Sequence, residues 1–380
     1  MIALAPQLVL GRLALAVIVA ALSLIGVLPA TAGAPVRSPR KSTVTAPTQP
    51  AALATTPARL LGQRIMVGLT GTTPSGALLR EVRAGGVGAV ILFAANIVSR
   101  TQTLALTGAL QRAARQGGNP PLLIAVDQEG GEVKRLPDGP PDLSPPEIAA
   151  TGSVAKAASE GRATGRYLTQ WGINMDLAPV LDVPTFRGAF IWQQGRAFSF
   201  SAAAVAKYAT AFALGLQAEH VAATAKHFPG VGSARIDTDD RLDELHPTAA
   251  QRSAALTPYR ALIPRGLDAV MVSTGGFPAY DRSGAPAALS HTMIQGLLRG
   301  QLKFGGVTIT DALGTPTGHD ETTAGVLAAG AGADILLYTD SAAGELAALQ
   351  AALRRGTISS AGATAAYARI VALKRSLAPS

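Results

Sequence analysis

From about residue 60 to the end of the chain, short apolar runs alternate with longer amphipathic stretches. The runs at 64–69, 89–93, 122–126, 174–179, 221–226, 269–273, 307–310 and 334–337 predict strands. Ala-rich stretches with apolar residues at helical spacing lie between most of them, among them 103–115, 202–219, 293–302 and 341–355. Strands alternating with helices in this way predict an α/β fold, a single-domain parallel (β/α)8 TIM-type barrel. An open doubly wound sheet is the competing architecture. No G-x-G-x-x-G follows an early strand, which removes the usual support for a dinucleotide fold.

Upstream the pattern changes. Residues 13–30 form an apolar run without charge, preceded by Arg12 and leading into Ala30-Thr31-Ala32, the small-x-small pattern that a signal peptidase reads. Residues 1–32 are therefore expected to be a signal peptide or, because the run is long enough to cross a bilayer, an N-terminal membrane anchor. A Pro/Thr/Ser-rich linker is expected over 33–59, with the barrel over 60–380. Either reading of the leader places the protein outside the cytoplasm, secreted or tethered to the membrane through residues 13–30. The chain has no cysteine, which excludes a disulfide framework, thiolate zinc sites, a cysteine nucleophile and lipid attachment through cysteine.

A net charge of +9 raises nucleic acid as a partner, but the location of the charge argues against it. Arg12, Arg37, Arg40 and Lys41 lie in an acid-free front segment, and removing these four from the total of +9 leaves a scattered +5. Aromatic residues make up only 4% of the chain, too few to build stacking platforms for a single strand. Nucleic acid is not expected as a partner. A mildly basic surface suits anionic envelope polymers or lipid headgroups.

The ionisable residues fall where predicted strands end. Strand three runs into Asp127-Gln-Glu-Gly-Gly131, with Arg135 beyond it. Strand four passes through Asp176 towards Asp182, with Gly195-Arg196 in the long loop that follows. Strand five ends at Lys226-His227-Phe-Pro-Gly230 and strand seven at Asp311. In a parallel barrel these positions share one mouth, so carboxylates, cations and a histidine converge on a pocket for a polyhydroxylated or anionic ligand. The plain alternative is a set of salt bridges closing the barrel top.

Five runs carry a more specific likeness: Ala125-Val-Asp-Gln-Glu-Gly-Gly131, Gly172-Ile-Asn-Met-Asp-Leu-Ala-Pro-Val-Leu-Asp-Val183, Gly195-Arg-Ala-Phe-Ser199, Lys226-His-Phe-Pro-Gly230 and Ile309-Thr-Asp-Ala-Leu313. They stand in the order found in family 3 glycoside hydrolases. The chain resembles the single-domain bacterial β-N-acetylglucosaminidases of that family from about Leu60 to Leu373. The resemblance implies a retaining hydrolysis that removes a terminal β-linked N-acetylglucosamine, with a carbohydrate partner drawn from peptidoglycan or other cell-wall fragments. It makes Asp311 the nucleophile and gives Asp127, Arg135, Arg196, Lys226 and His227 the task of holding the sugar's hydroxyls. A carboxylate suits the first role because it can attack the anomeric carbon and later leave as a glycosyl ester. Charged groups suit the second because charge-assisted hydrogen bonds are strong and directional. No metal and no organic cofactor is implied.

The likeness breaks on the loop after Gly230. The family continues there with His-Gly-Asp-Thr and then Asp-Ser-His, an Asp–His dyad that acts as general acid/base. This chain has Val231-Gly-Ser-Ala-Arg-Ile-Asp237-Thr-Asp239-Asp240, so Asp237 is kept and Asp239 stands in place of the histidine. Thr274 replaces another common histidine, and Glu132 stands where an arginine is common. Two carboxyls at i and i+2 raise one another's proton affinity, so Asp239 or Asp237 is the expected acid/base. The alternative is a catalytically impaired, glycan-binding barrel that has lost its acid.

Overall fold

The computed structural model describes residues 55–338 and 344–377. The leader expected at 1–32, the linker up to residue 54 and the first three residues of the helix expected at 341–355 lie outside the described residues. Residues 55–59, assigned above to the linker, instead open the domain. The Thr56 hydroxyl accepts from the Arg59 amide and Pro57 occupies the first turn, so a helix starts at once over Pro57–Gly62.

Eight strands form the barrel: β1 Ile65–Val67, β2 Ala89–Leu92, β3 Leu123–Val126, β4 Met175–Asp176, β5 Ala222–Phe228, β6 Ala269–Val272, β7 Val307–Thr310 and β8 Leu336–Tyr338. Each is parallel to its neighbour, in the order β8-β1-β2-β3-β4-β5-β6-β7. The ring closes between β7 and β8 through a single parallel bridge, Ile309 with Ile335, where the Thr310 amide donates to the Ile335 carbonyl at 3.0 Å. The eight predicted runs therefore all fall in the barrel. Several boundaries shift: β4 is shorter than the run 174–179 and β8 starts later than the run 334–337. β5 reaches Phe228, which brings Lys226 and His227 into the strand rather than to its end, and β1 is shorter than expected. The helix expected at 293–302 forms over Thr292–Gln301 but is wound as a π-helix. Its apolar residues Met293, Ile294, Leu297 and Leu298 share one face in either winding, so the spacing does not separate the two.

Strand periodicity divides the core into two layers. Met66, Ile91, Leu123, Ala125, Met175, Met271, Ile309 and Leu337 point inward and fill the barrel, while Val67, Val90, Leu92, Ile124, Val126, Val270, Val272 and Leu336 point outward to the helices. The C-terminal helix, Ser360–Ser376, plugs the lower end: Ile370 and Leu373 join the inner layer, and Lys374 Nζ donates to Gln63 Oε1 at 2.6 Å and the Gly88 carbonyl at 2.7 Å. Only the opposite end, at the strands' C-termini, is left to open.

The lower end is also pinned by charge. Asp334, fully buried, accepts from Arg299 Nη2 at 2.6 Å and Arg369 Nη2 at 2.7 Å, and its Oδ2 accepts from the Thr308 amide at 2.9 Å. Removing one partner from a buried ionic network leaves uncompensated charge and costs about 3–5 kcal/mol. Asp334→Ala is expected to lower unfolding free energy by about that much in urea denaturation, without moving any group at the upper end. An unchanged midpoint would exclude this role.

Candidate active site

At the upper end the strands and their loops enclose a cleft of about 460 Å³. All eight residues picked from the sequence line it: Asp127, Arg135, Arg196, Lys226, His227, Asp237, Asp239 and Asp311. Apolar walls come from Ile91, Phe93, Leu177, Met271 and Leu337.

The loop after β3 supplies the first pair. Asp127 and Glu129 are two residues apart in extended backbone, so both face the cleft, while Gln128 between them turns away. Gln128 ties down the loop beyond, donating to the Leu136 carbonyl at 3.0 Å and accepting from the Leu136 amide at 3.0 Å. The turn that folds this hairpin back needs glycine: Gly130 has φ +103°, and a Cβ there would lie 2.8 Å from the Leu143 carbonyl.

β5 supplies the cations. Strict alternation would send only one of Lys226 and His227 inward, but the register with β6 shifts between Ala225 and Phe228, and both reach the cleft. Lys226 Nζ lies 2.7 Å from Asp127 Oδ1 and 2.7 Å from Glu129 Oε1. Arg196 grips Glu129 as a fork, with Nε to Oε2 and Nη2 to Oε1 both at 2.8 Å, and Arg135 Nη2 approaches Asp127 Oδ2 at 3.4 Å. Burial pushes both carboxyls up, but the neighbouring cations more than offset it: Lys226 and Arg135 hold Asp127 below its ordinary range, and Arg196 and Lys226 hold Glu129 well below. Burial likewise favours a neutral Lys226, and the two carboxylates reverse this and keep it firmly protonated.

Asp182 orients the histidine. It is fully buried; its Oδ2 lies 2.7 Å from His227 Nδ1, and its Oδ1 accepts from the Val231 amide at 2.7 Å. Nδ1 thus faces the carboxylate, while Nε2 lies 3.3 Å from Arg196 Nη2. Burial lowers the proton affinity of the ring, but Asp182 overrides this and Asp311 adds to it, leaving His227 above its ordinary value. Asp176, which the sequence places in the same series, does not line the cleft. It lies fully buried beneath it, Oδ1 accepting from the Gln128 amide at 3.0 Å, and burial drives its carboxyl well above the usual range.

Asp311 follows β7, nearly buried, its Oδ1 accepting from the Ala312 amide at 3.0 Å. The loop after β5 brings two more carboxyls to the mouth. Asp237 is tied down: Oδ2 accepts from Gln194 Nε2 at 3.0 Å and Oδ1 from the Asp239 amide at 3.2 Å. The Asp239 side chain has no such partner among the described residues. Crowding on its inner side and repulsion from Asp311 and Asp237 push it up to about 7, although water reaches its outer side and screens part of that repulsion. Asp311 is also raised by burial, but His227 and Lys226 favour its ionised form. Both carboxyls thus lie above their ordinary range, and only Asp311 has His227 and Lys226 as its main opposing influences.

Three contributors were not assigned roles from the sequence. Glu129 was within reach, since it lies at i+2 from Asp127 on an extended segment. Asp182 ends an apolar run in the same way as Asp311, but nothing local marks its histidine partner, 45 residues away. Gln194 carries no sequence signal at all. Of the positions that depart from the family pattern, Asp239 and Glu132 line the cleft, whereas Val231 and Thr274 are buried outside its lining.

Known proteins match this chain at the level of both sequence and fold. A secreted glycosyl hydrolase of Arthroderma benhamiae, itself uncharacterized, is 36% identical over 335 residues, covering 83% of this chain and 92% of that protein. The β-hexosaminidase of Xanthomonas axonopodis pv. citri is 34% identical, covering 66% of this chain and 75% of its own length. Among solved structures, a family 3 β-N-acetylglucosaminidase from a Paenibacillus species superposes with a TM-score of 0.81 at 34% identity over 85% of this chain, which spans 63% of that longer protein. A β-N-acetylhexosaminidase from Beutenbergia cavernae gives 0.78 at 32% identity, covering 84% of this chain and 99% of its own. Residues 61–373 match the glycosyl hydrolase family 3 N terminal domain. With that match spanning nearly the whole barrel, the chain belongs to glycosyl hydrolase family 3.

Proposed function

We propose that this protein is a retaining β-N-acetylhexosaminidase that releases terminal β-linked N-acetylglucosamine from soluble glycans, cell-wall fragments among them. The observation that carries the reading is the placing of two carboxyls at one cleft: Asp311 directly after β7, where the charges of His227 and Lys226 favour its ionised form against burial, and Asp239 on the loop after β5, its proton affinity raised to about 7. In the first step Asp311 attacks the anomeric carbon while the glycosidic bond breaks and Asp239 gives its proton to the departing oxygen. In the second, Asp239 takes a proton from water, which displaces Asp311 and yields the β-sugar. Asp127, Arg135, Lys226 and His227 hold the sugar; Arg196, largely engaged by Glu129 and Gln194, fixes the frame around it. Asp237 positions Asp239 through its backbone amide.

The glycan-binding alternative rested on the missing histidine, and a carboxyl of suitable proton affinity stands in that place. An extracytoplasmic location is supported by the apolar leader and by the name of the Arthroderma relative. Among the described residues no helix is long and apolar enough to cross a membrane.

Proton NMR of an aryl β-N-acetylglucosaminide digest tests the reading. The β-anomer of N-acetylglucosamine is expected first, with the α-anomer appearing only by mutarotation, and the matching β-glucoside is expected to react far more slowly. Release of the α-anomer first, or equal use of the glucoside, would overturn it.

A further inference from the structure

The barrel is plugged from below, so a terminal sugar enters the cleft and the rest of the glycan leaves through the mouth. What surrounds that exit decides which neighbouring group is tolerated. Deep in the cleft, charge is matched: Asp127 and Glu129 are met by Lys226, Arg196 and Arg135. The mouth is different. Glu132, on the tip of the hairpin after β3, is exposed, lines the cleft and has no ion pair or hydrogen bond among the described residues. Asp239 lines the same cleft and is exposed as well. The cations next to it in sequence do not pair with Glu132. Arg135 is turned inward to Asp127, and Lys134, opposite in side to Val133 on its strand, is not part of the lining. Since Asp239 is the group that carries the proton, Glu132 is the carboxylate that gives the exit of this +9 protein a local negative charge.

We infer that Glu132 makes the exit select an uncharged or cationic neighbouring group over an anionic one, so that the sugar next to the scissile bond is a neutral hexosamine or an amine-bearing one rather than a sugar with a free acid. This rests on the proposed N-acetylglucosamine site and extends it by one position. An anion placed beside an unpaired carboxylate meets direct repulsion, while an amide of the same shape does not; selection of this kind works by penalising the wrong partner. Because the carboxylate is solvated, the penalty is moderate and falls with salt.

The test uses two thio-β-N-acetylglucosaminides, which resist hydrolysis, differing only in a carboxyphenyl or a carbamoylphenyl group. Binding to the wild-type protein and to Glu132→Gln is measured by titration calorimetry. The amide is expected to bind about 5–20-fold more tightly at low salt, from one like-charge contact in a partly aqueous setting. That ratio is expected to shrink in about 0.5 M salt, where the Debye length is only a few ångströms. In Glu132→Gln it is expected to fall to within about twofold, with affinity for the amide retained. Equal binding of the two ligands by wild type, or an unchanged ratio in Glu132→Gln, would overturn the inference while leaving the sugar site in place. Binding of neither ligand would instead overturn the N-acetylglucosamine reading, and this inference with it.

Discussion

Asp311→Ala is expected to reduce kcat/KM on every β-N-acetylglucosaminide by at least about 10⁴-fold, because the covalent route is lost for all leaving groups alike. The position has no substitute. Asp311 sits directly after β7 with its backbone amide bonded to the Val272 carbonyl at 2.9 Å, so its side chain is held at the cleft by the barrel itself. Lys226 and His227 stabilise its charge from β5. Neither Asp237, anchored to Gln194, nor Asp239, carried on the same loop after β5, is held at that position by the barrel itself. Folding should be little affected, since the carboxylate accepts only one hydrogen bond from the next amide, and circular dichroism would separate the two effects. Residual activity within tenfold of wild type in a folded Asp311→Ala protein would remove Asp311 from the nucleophile role.

Asp239→Asn should act selectively. General acid help is worth about 10²–10⁴-fold, but only where the leaving oxygen needs a proton. Substrates with a poor leaving group are expected to slow by that amount, whereas a dinitrophenyl glycoside should still form the glycosyl-enzyme and then stall for want of a base. The pH dependence carries the same information. Asp239 donates its proton only while protonated, and its affinity is raised to about 7, so wild-type kcat/KM on a poor leaving group should fall as pH rises through about 7. Activity at the acid end is limited by the need for an ionised Asp311. In Asp239→Asn the alkaline decline should vanish, because asparagine has no proton to lose there. An alkaline limb that persists in Asp239→Asn, or an equal loss on both substrate classes, would assign the acid to another group.

The barrel was legible because its signal is local. Alternation of apolar runs with helical stretches repeats along the chain, and each run had only to reach its neighbour to be placed. The inward and outward layers follow from strand periodicity alone. The strand ends were legible for the same reason, since a charged residue closing an apolar run has one place to go in a parallel barrel. Boundaries were less so. The residues 55–59 read as linker because proline and threonine are loop formers, yet Thr56 and Pro57 are equally a helix start, and only packing against the barrel decides between them.

What the sequence determined by itself was the eight alternating strands, the family motifs and the ionisable side chains at the strand ends; closure of the ring over an open sheet is the structure's, through the bridge of Ile309 with Ile335. Only the tertiary structure decided how those side chains pair. Glu129 takes Arg196 from 67 residues away and Asp182 takes His227 from 45, contacts that leave no periodic trace in the chain. The same holds on the loop after β5: Asp237 is tied to Gln194, while Asp239 takes a raised proton affinity from burial and from the charge of Asp311. Periodicity records which face a residue takes on its own element, and that is set by backbone geometry within a few residues. A charge state depends on what comes through space from other elements, and that exists only once the barrel has closed.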